Sequence, residues 1–237
     1  MARLASQSDW GINAEWLLNG LKSRDVTMEQ MADAVGDHFT VGVDCCLPLD
    51  DYLSLLNWGV DHLNNSKLGL ELAANLTASD FGIYGYLVGH SPTVAELLNN
   101  AIHYQSIIMR GMGFELNHVG DFVDLQWHIF RPDSEGTRQD TEFTLASVLT
   151  LLRRGLKESL DPEYVHFTHK IAGDPEKYER AFNCGVLFEQ PTNSLVLRRQ
   201  YLSYPLGETD PKLLNVLKQQ ADTLLEQWRG SSDLIPR

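Results

Sequence analysis

The amino-acid sequence predicts an α+β protein, in which a helical N-terminal part is followed by helices packed on a mainly antiparallel β-sheet. Apolar side chains in the first 65 or so residues recur at the three- and four-residue spacing of helices. Residues 122–130 instead alternate apolar and polar side chains, which is typical of a strand with one buried face. We expect the helical part to cover about residues 1–78 and the α+β part about residues 79–228.

Four helices are predicted in the helical part: residues 12–22, 27–36, 50–63 and 67–76. The second has the clearest ends, because Thr27 and Gln30 have the spacing of a capping box and Gly36 suits a helix C-terminus. Asp50 or Asp51 is expected to cap the third helix.

The second half begins with residues 81–89, whose glycines and aromatic side chains leave strand and helix open. A helix over about 91–109 starts with a second capping box at Thr93 and Glu96. The remaining predicted elements follow in order: strands 113–119 and 122–130 joined by a turn at Gly120-Asp121, a polar loop 131–140, a helix 141–156, a strand 164–170, a helix from Asp174, a hairpin of 185–189 with 195–199, and a last helix from Asp210 that Gly230 breaks.

Composition limits the kinds of partner. With 43% hydrophobic and 22% charged residues, the chain is typical of globular proteins. A formal net charge of −13 argues against DNA binding by this chain alone, because DNA binding depends on Lys and Arg meeting phosphates. No apolar run is long enough to span a membrane and the N-terminus lacks a signal-peptide core, so we expect a cytoplasmic protein without a membrane partner.

Motifs for nucleotide, dinucleotide, serine-hydrolase or zinc-protease chemistry are absent, so neither an enzyme nor a cofactor is expected. His166 and His169 stand three apart on a predicted strand and point to opposite faces, which disfavours a shared metal. His118, His128 and His166 can share the polar side of the sheet, which leaves open a pH or metal sensor or an unrecognised enzyme. Solvent-facing histidines are the alternative.

Aromatic side chains with a few polar neighbours are the best candidates for a small-ligand pocket between helices and sheet. The predicted ligand-binding residues are Tyr84, Tyr86, His103, Tyr104, Arg110 and Trp127. Arg110 suits a ligand carboxylate or phosphate, or the C-terminus of its own helix. The aromatic side chains equally suit an ordinary core.

The last helix carries an apolar stripe that suits a helix–helix contact in a homodimer. The predicted contact residues are Leu213, Leu217, Leu224 and Trp228. The same stripe suits packing of the helix onto its own domain, and the sequence does not separate the two possibilities.

The order and spacing of several loose motifs extend over about residues 10–228: Leu68–Leu72, Asp80–Tyr86, Ser91–Leu97, His103-Tyr104, Val165-x-Phe167-x-His169, Tyr178, Phe182, Val186-x-Phe188, Asn193-x-Leu195, Pro205-Leu206 and Asp210-Pro211. Together they resemble the N-terminal regulatory domain of AraC-type bacterial transcription regulators, in the branch named for arabinose binding. The branch name does not identify arabinose as the ligand here.

The resemblance implies a domain that senses a small-molecule effector and often dimerises. It also implies DNA binding only through a separate C-terminal helix-turn-helix domain, which is missing from this chain. Residues 229–237 are then expected to be a linker or a remnant of a protease site. The alternative is a dimerisation module without an effector.

Overall fold

A helical N-terminal part and a five-stranded sheet covered by helices make up the fold, which confirms the predicted α+β class. The computed structural model describes residues 11–36, 39, 46–129, 135–156, 160–207 and 209–232. Within these ranges no helix is both long and apolar enough to cross a membrane.

The helical part contains four helices and two short strands within the described residues: β1 Gly11–Asn13, α1 Glu15–Lys22, α2 Met28–Val35, β2 Cys46–Pro48, α3 Leu49–His62 and α4 Leu68–Ala73. The prediction that residues 12–22 form one helix is wrong at its start. Ile12 pairs with Leu47 of β2 and forms a bridge to Met109, so distant backbone partners hold it extended. The Asn13 side chain then accepts a hydrogen bond from the Glu15 N–H at 3.1 Å as α1 begins.

The predicted capping box of α2 is confirmed. The Thr27 hydroxyl accepts from the Gln30 N–H and the Gln30 side chain accepts from the Thr27 N–H. Gly36 follows the helix with φ 111°, a backbone conformation that favours glycine. Neither Asp50 nor Asp51 caps α3, because the helix starts earlier, at Leu49; both aspartates lie in its first turn.

Residues 81–89 prove to be helical. A short 3₁₀ helix, Ala78–Phe81, leads into α5, Gly82–Gly89. A Cβ atom at Gly85 would lie 1.9 Å from the Ala78 carbonyl oxygen, so this close approach of two turns requires glycine. α6 covers Val94–Tyr104 and continues as a 3₁₀ turn, Gln105–Ile107. Of the predicted capping box, the Thr93 half is confirmed, since its side chain accepts from the Glu96 N–H.

The sheet is formed by β3 Met112–Val119, β4 Phe122–Ile129, β5 Tyr164–His166, β6 Gly185–Leu187 and β7 Asn193–Arg198. Its order is β3-β4-β7-β5-β6, and only the β5–β6 pair is parallel. The β3–β4 hairpin is confirmed. The predicted hairpin of 185–189 with 195–199 is wrong, because β5 lies between β6 and β7. β7 buries Ser194, Leu195 and Leu197 and takes a central position, whereas β6 is largely exposed at an edge.

α7 runs from Glu135 to Gly155 and is the main correction to the predicted element order. The predicted polar loop 131–140 is wrong for residues 135–140, which are helical; residues 131–134 lie outside the described part. α8, Pro175–Phe182, is capped by Asp174 as predicted. α9, Pro211–Ser232, continues past Gly230, since one glycine costs a helix only about 1 kcal/mol.

The start of α7 is the innermost helical segment of the described fold. α7 packs on α3 and α4 on one side and on the sheet on the other. Contact with α4 is at the level of the backbone, because a Cβ atom at Gly69 would lie 2.3 Å from the Gln139 carbonyl oxygen. This close packing fixes where the polar side chains of α7 point.

Candidate ligand-binding site

The first turns of α7 bury a run of polar side chains, most of which form hydrogen bonds to other elements or along α7. Residues 137–142 are all buried although none is apolar. Gln139 shows how the environment accommodates them: its side-chain oxygen accepts from the Gly69 N–H at 2.7 Å, and its side-chain nitrogen donates to the Ser66 carbonyl at 3.0 Å. Because buried polar groups are costly without hydrogen bonds, these contacts explain why the segment is helical.

One face of α7 closes an aromatic cavity of about 60 Å³. Six rings from five regions of the chain line it: Trp16, Phe81, Tyr84, Phe114, Trp127 and Phe143. Trp16 stacks on Phe143 with 3.4 Å between ring centroids, and Phe114 lies 4.6 Å from Trp127. A second cavity of about 40 Å³ shares Tyr84 and Phe114 with it.

Asp140 places a carboxylate in the wall of the aromatic cavity. Its Oδ1 accepts from the Tyr52 hydroxyl at 2.5 Å and its Oδ2 accepts from the Trp127 indole N–H at 3.2 Å. Burial raises the pKa of this carboxyl from 3.8 to about 6, although both hydrogen bonds lower it. The lining of the cavity is thus mainly apolar, with Asn13, Thr144 and Ser147 as further polar residues, and Asp140 adds a buried carboxyl group to it.

Another face of α7 borders a polar cleft of about 430 Å³. Its walls come from α7, from the segment after β5 and from the start of β7: Arg138, Thr141, Thr168, His169, Glu189 and Asn193 are among them. Thr168 is fixed there, since its N–H and hydroxyl both donate to the Asn193 side-chain oxygen. The volume of the polar cleft is within the range of small-molecule sites.

Glu142 lies buried beside this polar cleft at the centre of a charged cluster. Its Oε1 accepts from Arg138 at 2.6 Å and from the Tyr178 hydroxyl at 2.7 Å, and lies 3.5 Å from His169 Nε2. Burial raises the pKa of Glu142, and the positive charge of Arg138 opposes that rise. Lys67 stacks its ammonium 3.2 Å from the centroid of the Tyr178 ring, and burial lowers its pKa to about 8.

The structure brings together two of the six predicted ligand-binding residues, Tyr84 and Trp127, which both line the aromatic cavity. Tyr86 is 45% exposed and is not part of the lining of this cavity. Tyr104 is buried elsewhere and donates from its hydroxyl to Asp222 at 2.9 Å, and the exposed His103 ring lies edge-on to it.

Arg110 is partly exposed and lies next to β1, where its N–H donates to the Gly11 carbonyl. Like Tyr86, His103 and Tyr104, it is not among the residues that line either cavity.

Sequence reasoning missed Asp140 and the rings that accompany it. A signal was present: Asp140, Phe143 and Ser147 stand three and four residues apart, which is the spacing of one helix face. The polar residues around them concealed it, because a polar run without apolar periodicity is typical of a loop.

The histidines of the sheet lie apart: β7 separates His128 on β4 from His166 on β5, and His118 on β3 pairs with Val123, near the other end of β4 from His128. His128 on β4 lies 3.6 Å from Glu115 on β3, and His166 on β5 contacts Ser194 on β7. Among the described residues, no three His, Cys, Asp or Glu side chains are grouped so that they could hold a metal ion.

One side of α9 packs against its own domain. Leu214, Ala221 and Leu225 are buried, and the helix packs on α5 and on the 3₁₀ turn after α6. Of the predicted dimer-contact residues, Leu217 packs partly against the core, Leu224 is partly exposed and Leu213 is 39% exposed. Trp228 lies in the helix, but its side chain is outside the described part.

Comparison with known proteins identifies the class to which this fold belongs. The protein-family model for the N-terminal arabinose-binding domain of AraC transcription regulators matches residues 40–206. The chain therefore belongs to this family and is a regulatory domain of AraC-type transcription regulators.

Two similar proteins, one matched by sequence and one by fold, come from Pseudomonas aeruginosa. The chain is 26% identical over 172 residues to its ornithine utilization regulator, a match that covers 72% of this chain and 50% of the regulator. The chain thus spans about half the length of this curated relative. The crystal structure of the transcriptional regulator CdpR has the same fold, with a TM-score of 0.68 at 15% identity, over 96% of this chain and 67% of CdpR.

Proposed function

We propose that this regulatory domain senses a small-molecule effector that enters the aromatic cavity, and that it dimerises and controls a separate C-terminal DNA-binding domain. The observation that carries the proposal is the cavity itself, in which Tyr84 and Trp127 meet Asp140. Ligand sites combine apolar walls with a few fixed polar groups, and this cavity has that composition.

The cavity accommodates the head of a ligand as it stands and must widen for the rest. Met109 and Met112 form part of its wall, and methionine side chains are unbranched and repack readily. Opening towards the second cavity requires only movement of the shared side chains, Tyr84, Phe114, Val148 and Leu151.

Because α9 packs on α5, a ligand that moves α5 can also move α9, the last helix of the domain. Tyr84 belongs to α5, and Tyr104 at the end of α6 is hydrogen-bonded to Asp222 of α9. An effector shifts such an arrangement only by its difference in affinity for the two states. We infer that the effector changes the position of α9 and thereby the DNA-binding domain, since the chain's net charge of −13 disfavours DNA contact by this chain itself.

A metabolite panel tested by thermal shift checks effector sensing, and ornithine belongs in it because one relative is an ornithine utilization regulator. At 100 times its dissociation constant an effector should stabilise the domain by about 2.7 kcal/mol. Ser147→Leu fills the aromatic cavity and should abolish the shift, whereas Lys170→Glu in the polar cleft should preserve it. The reverse result would place the effector in the polar cleft, which is a second candidate because of its volume of about 430 Å³.

Dimerisation through α9 is tested at the residues that its own domain leaves exposed. Val216 is 60% exposed and Leu213 is 39% exposed on this helix. Changing both to aspartate should convert a dimer to a monomer in light scattering while the domain stays folded, and should lower the melting temperature only by the contribution of association. Val119→Asp, at an equally exposed apolar position on β3, serves as control and should leave the mass unchanged. A wild-type monomer at high concentration would contradict dimerisation of this chain.

A further inference from the structure

We propose that the aromatic cavity binds the ammonium group of an organic cation, with Asp140 as its counter-ion and the surrounding rings as its walls. This inference rests on the proposed function and specifies the chemical class of the effector. It follows from the charge, the rings and the size of the cavity.

The Asp140 carboxylate supplies the negative charge of the cavity. Asp140 is buried and both of its oxygens accept hydrogen bonds, but from neutral donors, Tyr52 and Trp127. Among the described residues, no Lys, Arg or His side chain forms an ion pair with Asp140. Glu142, two positions along α7, has Arg138 as its partner. An ionised carboxylate without a cation in an apolar wall is costly, and a bound cation relieves that cost.

The rings supply the second half of the recognition. Trp16, Tyr84, Phe114, Trp127 and Phe143 line the same small space as the Asp140 carboxylate. Faces of aromatic rings attract cations, most strongly when water is excluded, and cages of such rings are a common way to hold alkylated ammonium groups. A carboxylic acid or phosphate ligand would instead place a second negative charge beside Asp140.

The volume of the cavity limits which part of the ligand can enter it. A cavity of about 60 Å³ has room for a few heavy atoms, such as an ammonium and its substituents, but not for a complete metabolite. The ligand is therefore expected to insert a compact cationic head and to leave its tail between the movable methionines. In the described part of the chain, the other titratable side chains that contact Asp140 or line its cavity are Tyr52 of α3 and Tyr84 of α5. Burial raises the pKa of both, so they stay neutral.

Choline and 3,3-dimethylbutan-1-ol provide a matched pair of probes, because they have the same shape and differ in the positive charge. Calorimetric titration of the wild-type chain at about pH 8 should show choline binding at least tenfold more tightly than the neutral alcohol. Lowering the pH to about 5 should weaken choline binding roughly tenfold, because the carboxyl is then largely protonated, and should not affect the alcohol.

Asp140→Asn should remove the preference for choline, while Ser147→Leu should remove binding of both probes. If Asp140→Asn proves unstable, the pH series on the wild-type chain decides the question without it. Equal binding of both probes, or no binding of choline, overturns the ammonium proposal. Effector sensing fails separately, if no member of the metabolite panel stabilises the chain.

Discussion

Asp140→Asn is expected to change the stability of this domain in a pH-dependent way, which tests whether the carboxylate is held at a cost. Burial raises the pKa of Asp140 from 3.8 to about 6. A carboxyl whose pKa is higher in the folded state binds its proton more tightly when folded. Its ionisation therefore destabilises the fold, and the penalty is absent below the unfolded pKa and complete above the folded one.

The size of the effect follows from the two pKa values. A difference of about two units corresponds to roughly 3 kcal/mol, of which about 2 to 3 kcal/mol develops between about pH 4 and about pH 8. The asparagine variant can accept from the Trp127 indole N–H and donate its amide N–H₂ to the Tyr52 oxygen, but the Tyr52 O–H then loses its acceptor. This loss adds a cost of about 1 to 3 kcal/mol that does not depend on pH.

Urea denaturation of wild type and variant across that pH range measures both contributions. The stability of Asp140→Asn relative to wild type should rise by about 2 to 3 kcal/mol as the pH increases. Asp121→Asn, in the exposed turn between β3 and β4, is the control for a general effect of removing one negative charge. If the difference in free energy of unfolding between Asp140→Asn and wild type stays constant with pH, the carboxylate is not held at a cost.

Two further predictions compare matched positions. Glu142→Gln should cost about 3 kcal/mol or more in urea denaturation, because it removes the carboxylate from a buried ion pair with Arg138. Glu176→Gln removes an equally short ion pair, 2.6 Å, from a solvent-exposed site and should cost under about 1 kcal/mol. Similar losses at both sites would contradict the burial argument. Gly69→Ala should lower the melting temperature strongly, since its Cβ would lie 2.3 Å from a backbone oxygen of α7, and Gly185→Ala should be near neutral, since its nearest contact is 3.5 Å.

Local chemistry was enough to predict many elements of this protein. The capping box at Thr27, the β3–β4 hairpin and the start of α8 at Asp174 depend on residues close in sequence, and all three are confirmed. The AraC-type family was also predictable, because the order and spacing of short motifs along the chain carry it.

What the sequence alone determined was thus the class of the fold, its locally specified helices and turns, and the family. Tertiary structure decided the rest where a segment's partners are distant in sequence. Ile12 is extended because Leu47 and Met109 pair with it, and residues 135–140 are helical because other elements satisfy their buried polar groups. The aromatic cavity belongs to this second class, since the hydrogen bond from Tyr52 to Asp140 joins residues 88 positions apart and local spacing carries no information about such a contact.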